Sequence, residues 1–137
     1  MLNWIRRLRE RGLPPLRGAP PVRRKKNYSA QSGYVYEYFY EGWREIDRRG
    51  GAGSQYVFQA SADRRTYAPV SVFIERAGID SWERERGREL SATERYGVAK
   101  MALFQAFDER ESPKLMSQEI VVRPADLGDI LDRLGID

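Results

Sequence analysis

Every second residue from 34 to 40 is a tyrosine: Tyr34, Tyr36, Tyr38 and Tyr40, separated by Val35, Glu37 and Phe39. A period of two belongs to a β-strand, whose side chains alternate between the two faces of a sheet. The four rings therefore share one face, and Val35, Glu37, Phe39 and Glu41 share the other. Such a face has two uses. It can be a stacking platform for unpaired bases, or it can pack beneath helices with its hydroxyls directed to the rim. Glu37 and Glu41 favour the second, because a face carrying two carboxylates is solvated and leaves the tyrosines facing the core.

The pattern around this strand sets the rest of the fold. The strand over 33–40 extends through 42–46 past a bulge at Gly42. Residues 47–54 read as a turn, 55–62 as a second strand, 63–66 as a turn and 67–75 as a third strand. Pro69, near the start of the third strand, suits an edge. The chain then changes period. Asp80, with Glu83 three residues on, forms a capping-box pattern for a short helix ended by Gly87. Ser91 and Glu94 repeat the box and open a helix over 92–108. Its Tyr96, Ala99, Leu103 and Phe107 share a face, flanked by Val98, Ala102 and Ala106, which marks the central core helix. Residues 119–122 read as a fourth strand. Pro124 suits the first turn of a last helix, with Leu127, Ile130, Leu131 and Leu134 as its apolar stripe.

These elements predict an α+β fold in the order βββααβα: an antiparallel sheet of three to four strands, helices packed on one face, preceded by a basic N-terminal arm. A chain of 137 residues has room for one such domain, placed here at 27–137. At 41% hydrophobic residues it can build one core, burying roughly two-thirds of its unfolded surface.

The arm, residues 1–26, carries nine basic groups: Arg6, Arg7, Arg9, Arg11, Arg17, Arg23, Arg24, Lys25 and Lys26. Glu10 alone opposes them, for a net charge of +8. The remainder holds 15 basic and 19 acidic groups, a net −4, so the overall +4 describes neither part. Residues 1–11 read as a short amphipathic helix, with Met1, Trp4, Ile5 and Leu8 on one face. Gly12 ends it. Residues 13–22 hold two Pro-Pro pairs and read as an extended polyproline spacer. A cationic arm on a mildly acidic body predicts a polyanionic partner.

Other patterns carry less. With no cysteine and no histidine, disulfides, thiolate chemistry, Cys/His metal sites and Ser-His triads are excluded. No cofactor is expected. Arg48-Arg49-Gly50-Gly51-Ala52-Gly53-Ser54 lacks the lysine and following helix of a P-loop and reads as a hairpin loop. Tyr96 and Lys100 match Y-x-x-x-K, but no dinucleotide fingerprint accompanies them. Glu83, Glu85 and Glu89 alternate with arginines and read as a salt-bridged surface. Asp126, Asp129 and Asp132 are the polar face of the last helix. No stretch is long and apolar enough to span a membrane, and no apolar core of a secretory signal follows the charged start; a cytoplasmic protein is the expectation.

The function expected is therefore a non-catalytic binding or assembly protein, tethered by its arm to nucleic acid or a nucleoprotein complex. The nine basic groups would bind the polyanion. The first alternative is an adaptor on an anionic membrane surface or a protein partner, docked by Trp4, Ile5 and Leu8. The second is a small enzyme without histidine or cysteine chemistry.

Overall fold

The computed structural model describes residues 12–137. The expected helix over 1–11, with the docking face of Trp4, Ile5 and Leu8 and the basic residues Arg6, Arg7, Arg9 and Arg11, lies outside the described residues. Five strands form one curled sheet: β1 Lys26–Ser29, β2 Val35–Ile46, β3 Gly53–Ser61, β4 Ala68–Glu75 and β5 Ile120–Val122, adjacent in that order. Among the described residues three helices, α1 Arg76–Arg86, α2 Ala92–Glu109 and α3 Pro124–Arg133, accompany them. A 3-10 turn, Pro113–Ser117, leads into β5.

The α+β class holds, and the count and pairing of strands are corrected. The sheet is mixed: β1 to β4 pair antiparallel, whereas β5 lies parallel to β4, Val72 opposite Ile120. The chain must cross over through α1 and α2 before returning to β4, and such a crossover delivers a parallel neighbour. The fifth strand is β1, Lys-Asn-Tyr-Ser, with three of its four residues exposed. An edge strand of this composition has no hydrophobic pattern to announce it. The order is thus ββββααβα. Pro69 lies outside the short β5 pairing, so the Pro69 end of β4 remains an edge.

The bulge falls where expected, with the β2–β3 register shifting between Tyr40 and Gly42. The Ser91–Glu94 capping box opens α2, and Pro124 starts α3. The helix at 80 is corrected. It begins directly after β4, at Arg76, with no side-chain cap. Arg76 instead donates its N–H to the Ala52 carbonyl (3.0 Å) and its guanidinium to Glu45 (2.7 Å). Asp80 is an exposed position within the helix, and Glu83 turns to accept the Leu90 N–H at 2.6 Å.

The core lies between the sheet and the helices. Val98, Ala99, Ala102, Leu103, Ala106 and Phe107 of α2 pack on Tyr36, Phe58, Val70 and Val72. Tyr36 and Tyr38 face this core, so the tyrosine ladder is packed under α2. Tyr36 stacks on Phe107 at 4.1 Å between ring centroids, and Tyr38 meets Phe104 edge-on at 5.6 Å. Tyr28 of β1 stacks on Phe104 at 4.2 Å and donates its hydroxyl to Asp108 at 2.8 Å. These contacts clamp the β1–β2 hairpin onto the end of α2. The hairpin turn expected over 47–54 joins Ile46 to Gly53, Gly53 and Ser54 already belonging to β3, and Arg48 leaves it to pair with both carboxylate oxygens of Glu119 (2.7 and 3.0 Å) while lying over Phe73. Among the described residues no helix is long and apolar enough to cross a membrane.

Candidate anion-binding cleft

The described part of the arm does not run free as a polyproline spacer. Arg17 and Trp43 exchange both backbone hydrogen bonds, at 2.7 and 2.9 Å, and Arg44 donates to the Pro14 carbonyl at 3.2 Å. The Arg17 guanidinium lies over the Trp43 ring, 4.5 Å from its centroid. The arm thus occupies the free edge of β2 beyond the bulge, as β1 occupies it before the bulge. Unpaired strand edges are satisfied by any backbone that can reach them, and here the chain's own linker does so.

Between these two attachments the arm bows away from β2 and leaves a cleft on the helix side of the sheet. One hollow of about 420 Å³ has Pro20, Pro21 and Val22 on one wall and Tyr38, Tyr40 and Tyr96 on the other. A second, about 430 Å³, shares Tyr40 and Tyr96 and runs on past Trp43, Tyr56 and Arg95. Each hollow falls within the usual size of a ligand site. Tyr40 meets Tyr96 edge-on at 4.8 Å, and Trp43 stacks against Tyr56 at 6.1 Å.

The hydroxyls of Tyr38, Tyr40, Tyr56 and Tyr96 have no hydrogen-bond partner among the described residues, in contrast to Tyr28 and Tyr67. Burial pushes Tyr38 and Tyr56 up to about 12, with the neighbouring Tyr96 hydroxyl adding to the effect at Tyr38. Burial, then the nearby phenols, raises Tyr40 also. These phenols stay neutral and can donate or accept. Unlike the Tyr36 hydroxyl, which is buried without a partner, these four oxygens are accessible, so a polar ligand or ordered water can reach them.

The run Arg23-Arg24-Lys25-Lys26 straddles the sheet edge and is divided by strand alternation. Arg24 and Lys26 line the cleft. Lys26 also lies beside Lys100 of α2, whose ammonium is pulled below the ordinary lysine value by burial and then by Lys26. Among the described residues, neither lysine has a carboxylate partner. Arg23 and Lys25 go to the other face. Arg23 lies over Phe39 (5.3 Å) and Lys25 over Tyr67 (4.9 Å), with Glu37 3.8 Å from Lys25. Arg64 approaches Glu37 at 3.7 Å, and Tyr67 donates its hydroxyl to Glu37. On that face the positive charge is partly neutralised; on the cleft side it is not.

The structure thus joins parts of two separate sequence expectations, Tyr38 and Tyr40 with Arg24 and Lys26. Tyr36, 1% exposed, and Tyr38, 4% exposed, present no ring face to solvent. The four-tyrosine stacking platform therefore does not form: Tyr38 and the half-buried Tyr40 line the cleft, while Tyr34, exposed and just outside β2, lies at the far end of the strand. Three contributors were missed from sequence. The sequence marks Tyr96 as a core-face residue of the helix and, with Lys100, as a Y-x-x-x-K pair, a role that needs a doubly wound parallel sheet rather than this mixed one, and Tyr56 as an ordinary strand residue. Their four-residue spacing on α2, facing an aromatic strand, was the available signal.

Three carboxylates of the helices have partners of their own. Glu83 meets Arg95 at 3.4 Å, Arg88 meets Glu94 at 3.0 Å, and Asp126 accepts the Arg123 N–H at 3.1 Å. Comparison of the chain with protein-family models, with curated proteins and with solved structures finds no match.

Proposed function

We propose that this chain is a non-catalytic, cytoplasmic binding protein that holds a polyanion, nucleic acid or a nucleoprotein assembly, through its arm and the cleft beneath it. The observation that carries the reading is the placement of Arg24 and Lys26, neither with a carboxylate partner among the described residues, on the margin of a hollow lined by Tyr38, Tyr40 and Tyr96, with Lys100 beside Lys26. Holding like charges together is unfavourable in the free protein. A bound phosphate relieves that repulsion, and each phosphate neutralised releases condensed counterions.

The division of the basic run supplies the test. Substituting Arg24, Lys26 and Lys100 by Gln removes the cleft-side charges. Substituting Arg23, Arg64 and Lys25 by Gln removes three charges from the opposite face. Retention on RNA and DNA across a salt series is then compared with sedimentation on anionic vesicles. The cleft-side set is expected to flatten the log–log salt slope by up to about 2 on a single strand, at roughly 0.7 per phosphate contact. The opposite set should change it less. Wild-type protein that ignores nucleic acid at low salt yet sediments with vesicles would replace this reading by the membrane adaptor.

A further inference from the structure

We infer that the cleft admits an unpaired base of a single-stranded nucleic acid between its proline and tyrosine walls, with the adjoining phosphate on Lys26 and Lys100. This rests on the polyanion reading and narrows it to single strands. The hollow bounded by Pro20, Pro21 and Val22 on one side and by Tyr40 and Tyr96 on the other has apolar walls and a charged margin, with Arg24 and Lys26 among its lining residues. A base is a flat, largely apolar ring with polar edges. Its ring suits the walls, and its edge suits the Tyr38, Tyr40 and Tyr96 hydroxyls, which lack partners among the described residues. A duplex cannot use such a slot, because its rings are stacked inside the helix and only their edges reach the grooves. Unpaired bases, in contrast, can be splayed onto aromatic side chains. Trp43 is not the platform: Arg17 already covers one face at 4.5 Å, and Gly18 closes on its edge. Tyr96, half-buried and at the junction of the two hollows, is the residue best placed to stack.

The test uses the full chain and fluorescence anisotropy with four probes: a thymidine dodecamer, the same strand made abasic at every position, a duplex dodecamer, and thymidine monophosphate. The dodecamer should bind more tightly than its abasic counterpart and than the duplex, by roughly 5- to 150-fold, the range for one base stacked on one aromatic ring. Tyr96→Leu should bring the dodecamer to the abasic affinity while leaving the abasic strand unaffected. Val22→Asn, a neutral change at a wall position 63% exposed, should do the same without touching the core, which keeps the test valid if the Tyr96 variant folds poorly. Equal binding of abasic and complete strands overturns the slot and leaves the polyanion reading intact. A duplex bound as tightly as the single strand does so too. Thymidine monophosphate bound as tightly as the dodecamer overturns the assignment to a strand. Absence of binding to all four at low salt overturns both readings.

Discussion

Gly42 is the position at which the arm and the sheet depend on each other most directly. Its φ is +139°, in the half of backbone space that glycine alone enters freely, and a Cβ built there would lie 2.7 Å from the Arg17 carbonyl oxygen and 3.1 Å from Leu16 Cβ. Gly42→Ala therefore carries two costs. Holding alanine at such a φ costs about 1–3 kcal/mol. Pushing the Arg17 carbonyl away breaks the paired bonds to Trp43, at about 0.5–1.5 kcal/mol each. The expected loss is about 2–6 kcal/mol, a large fraction of the roughly 5–15 kcal/mol that stabilises a domain, and about 7–20 °C in melting temperature for a chain of this length. Thermal and urea melts measure the first quantity. Amide exchange measures the second: the Arg17 and Trp43 amides should lose protection while those pairing β1 with β2 keep theirs. Arg17→Ala serves as the control, since it removes the guanidinium over Trp43 but leaves both backbone bonds and the bulge in place, and should lose only about 0.5–1 kcal/mol. An alanine variant within half a kcal/mol of wild type, with both amides still protected, would refute the reasoning.

Phe107 is fully buried and stacked on Tyr36, and Phe107→Ala should cost about 3–5 kcal/mol in chemical denaturation. A loss under 1 kcal/mol would mean that α2 does not pack through this face. Glu94 is held at about 2, below its ordinary 4.5, by Arg88 and then by the Ser91 N–H. Because the folded value is depressed, its contribution is complete above pH 4.5 and lost as pH falls towards 2; Glu94→Gln should flatten the acid limb of the stability profile, and an unchanged limb counts against the capping box. Tyr38 and Tyr56 titrate near 12 because they are buried, against an ordinary value of 10. Their raised values make stability complete below pH 10 and lost as pH rises towards 12. Tyrosinate absorbance should therefore appear in two phases, the second coinciding with unfolding, and a single phase with the fold intact would argue that the rings are solvated.

Local patterns made much of the fold legible. The tyrosine alternation, the bulge glycine, the Ser91–Glu94 box and Pro124 are each read within a few residues, because side-chain direction and capping chemistry depend on near neighbours. The carboxylates of Glu37 and Glu41 favoured inward-facing rings, as Tyr36 and Tyr38 are. Where two local patterns competed the sequence misled: Asp80 and Glu83 have the spacing of a box, but Arg76 already closes the β4–α1 junction through Ala52 and Glu45. Strand β1, and the parallel pairing of the strand expected at 119–122, were hidden because pairing at an edge is decided by what backbone lies alongside, not by the strand's own composition.

From its sequence alone, this protein is an α+β chain with a cationic arm, a tyrosine strand and no histidine or cysteine chemistry. Composition and periodicity are properties of the chain, so they need no coordinates. Which charges act together was decided only by the tertiary structure. Lys26 and Lys100 are 74 positions apart in the chain, and nothing local relates them. The curl of the sheet and the return of the linker to β2 bring them side by side, and strand alternation sends Arg23 and Lys25 to the face where Glu37 answers them. A run of four positive charges that is uniform in sequence becomes two sites of different character once a sheet edge divides it.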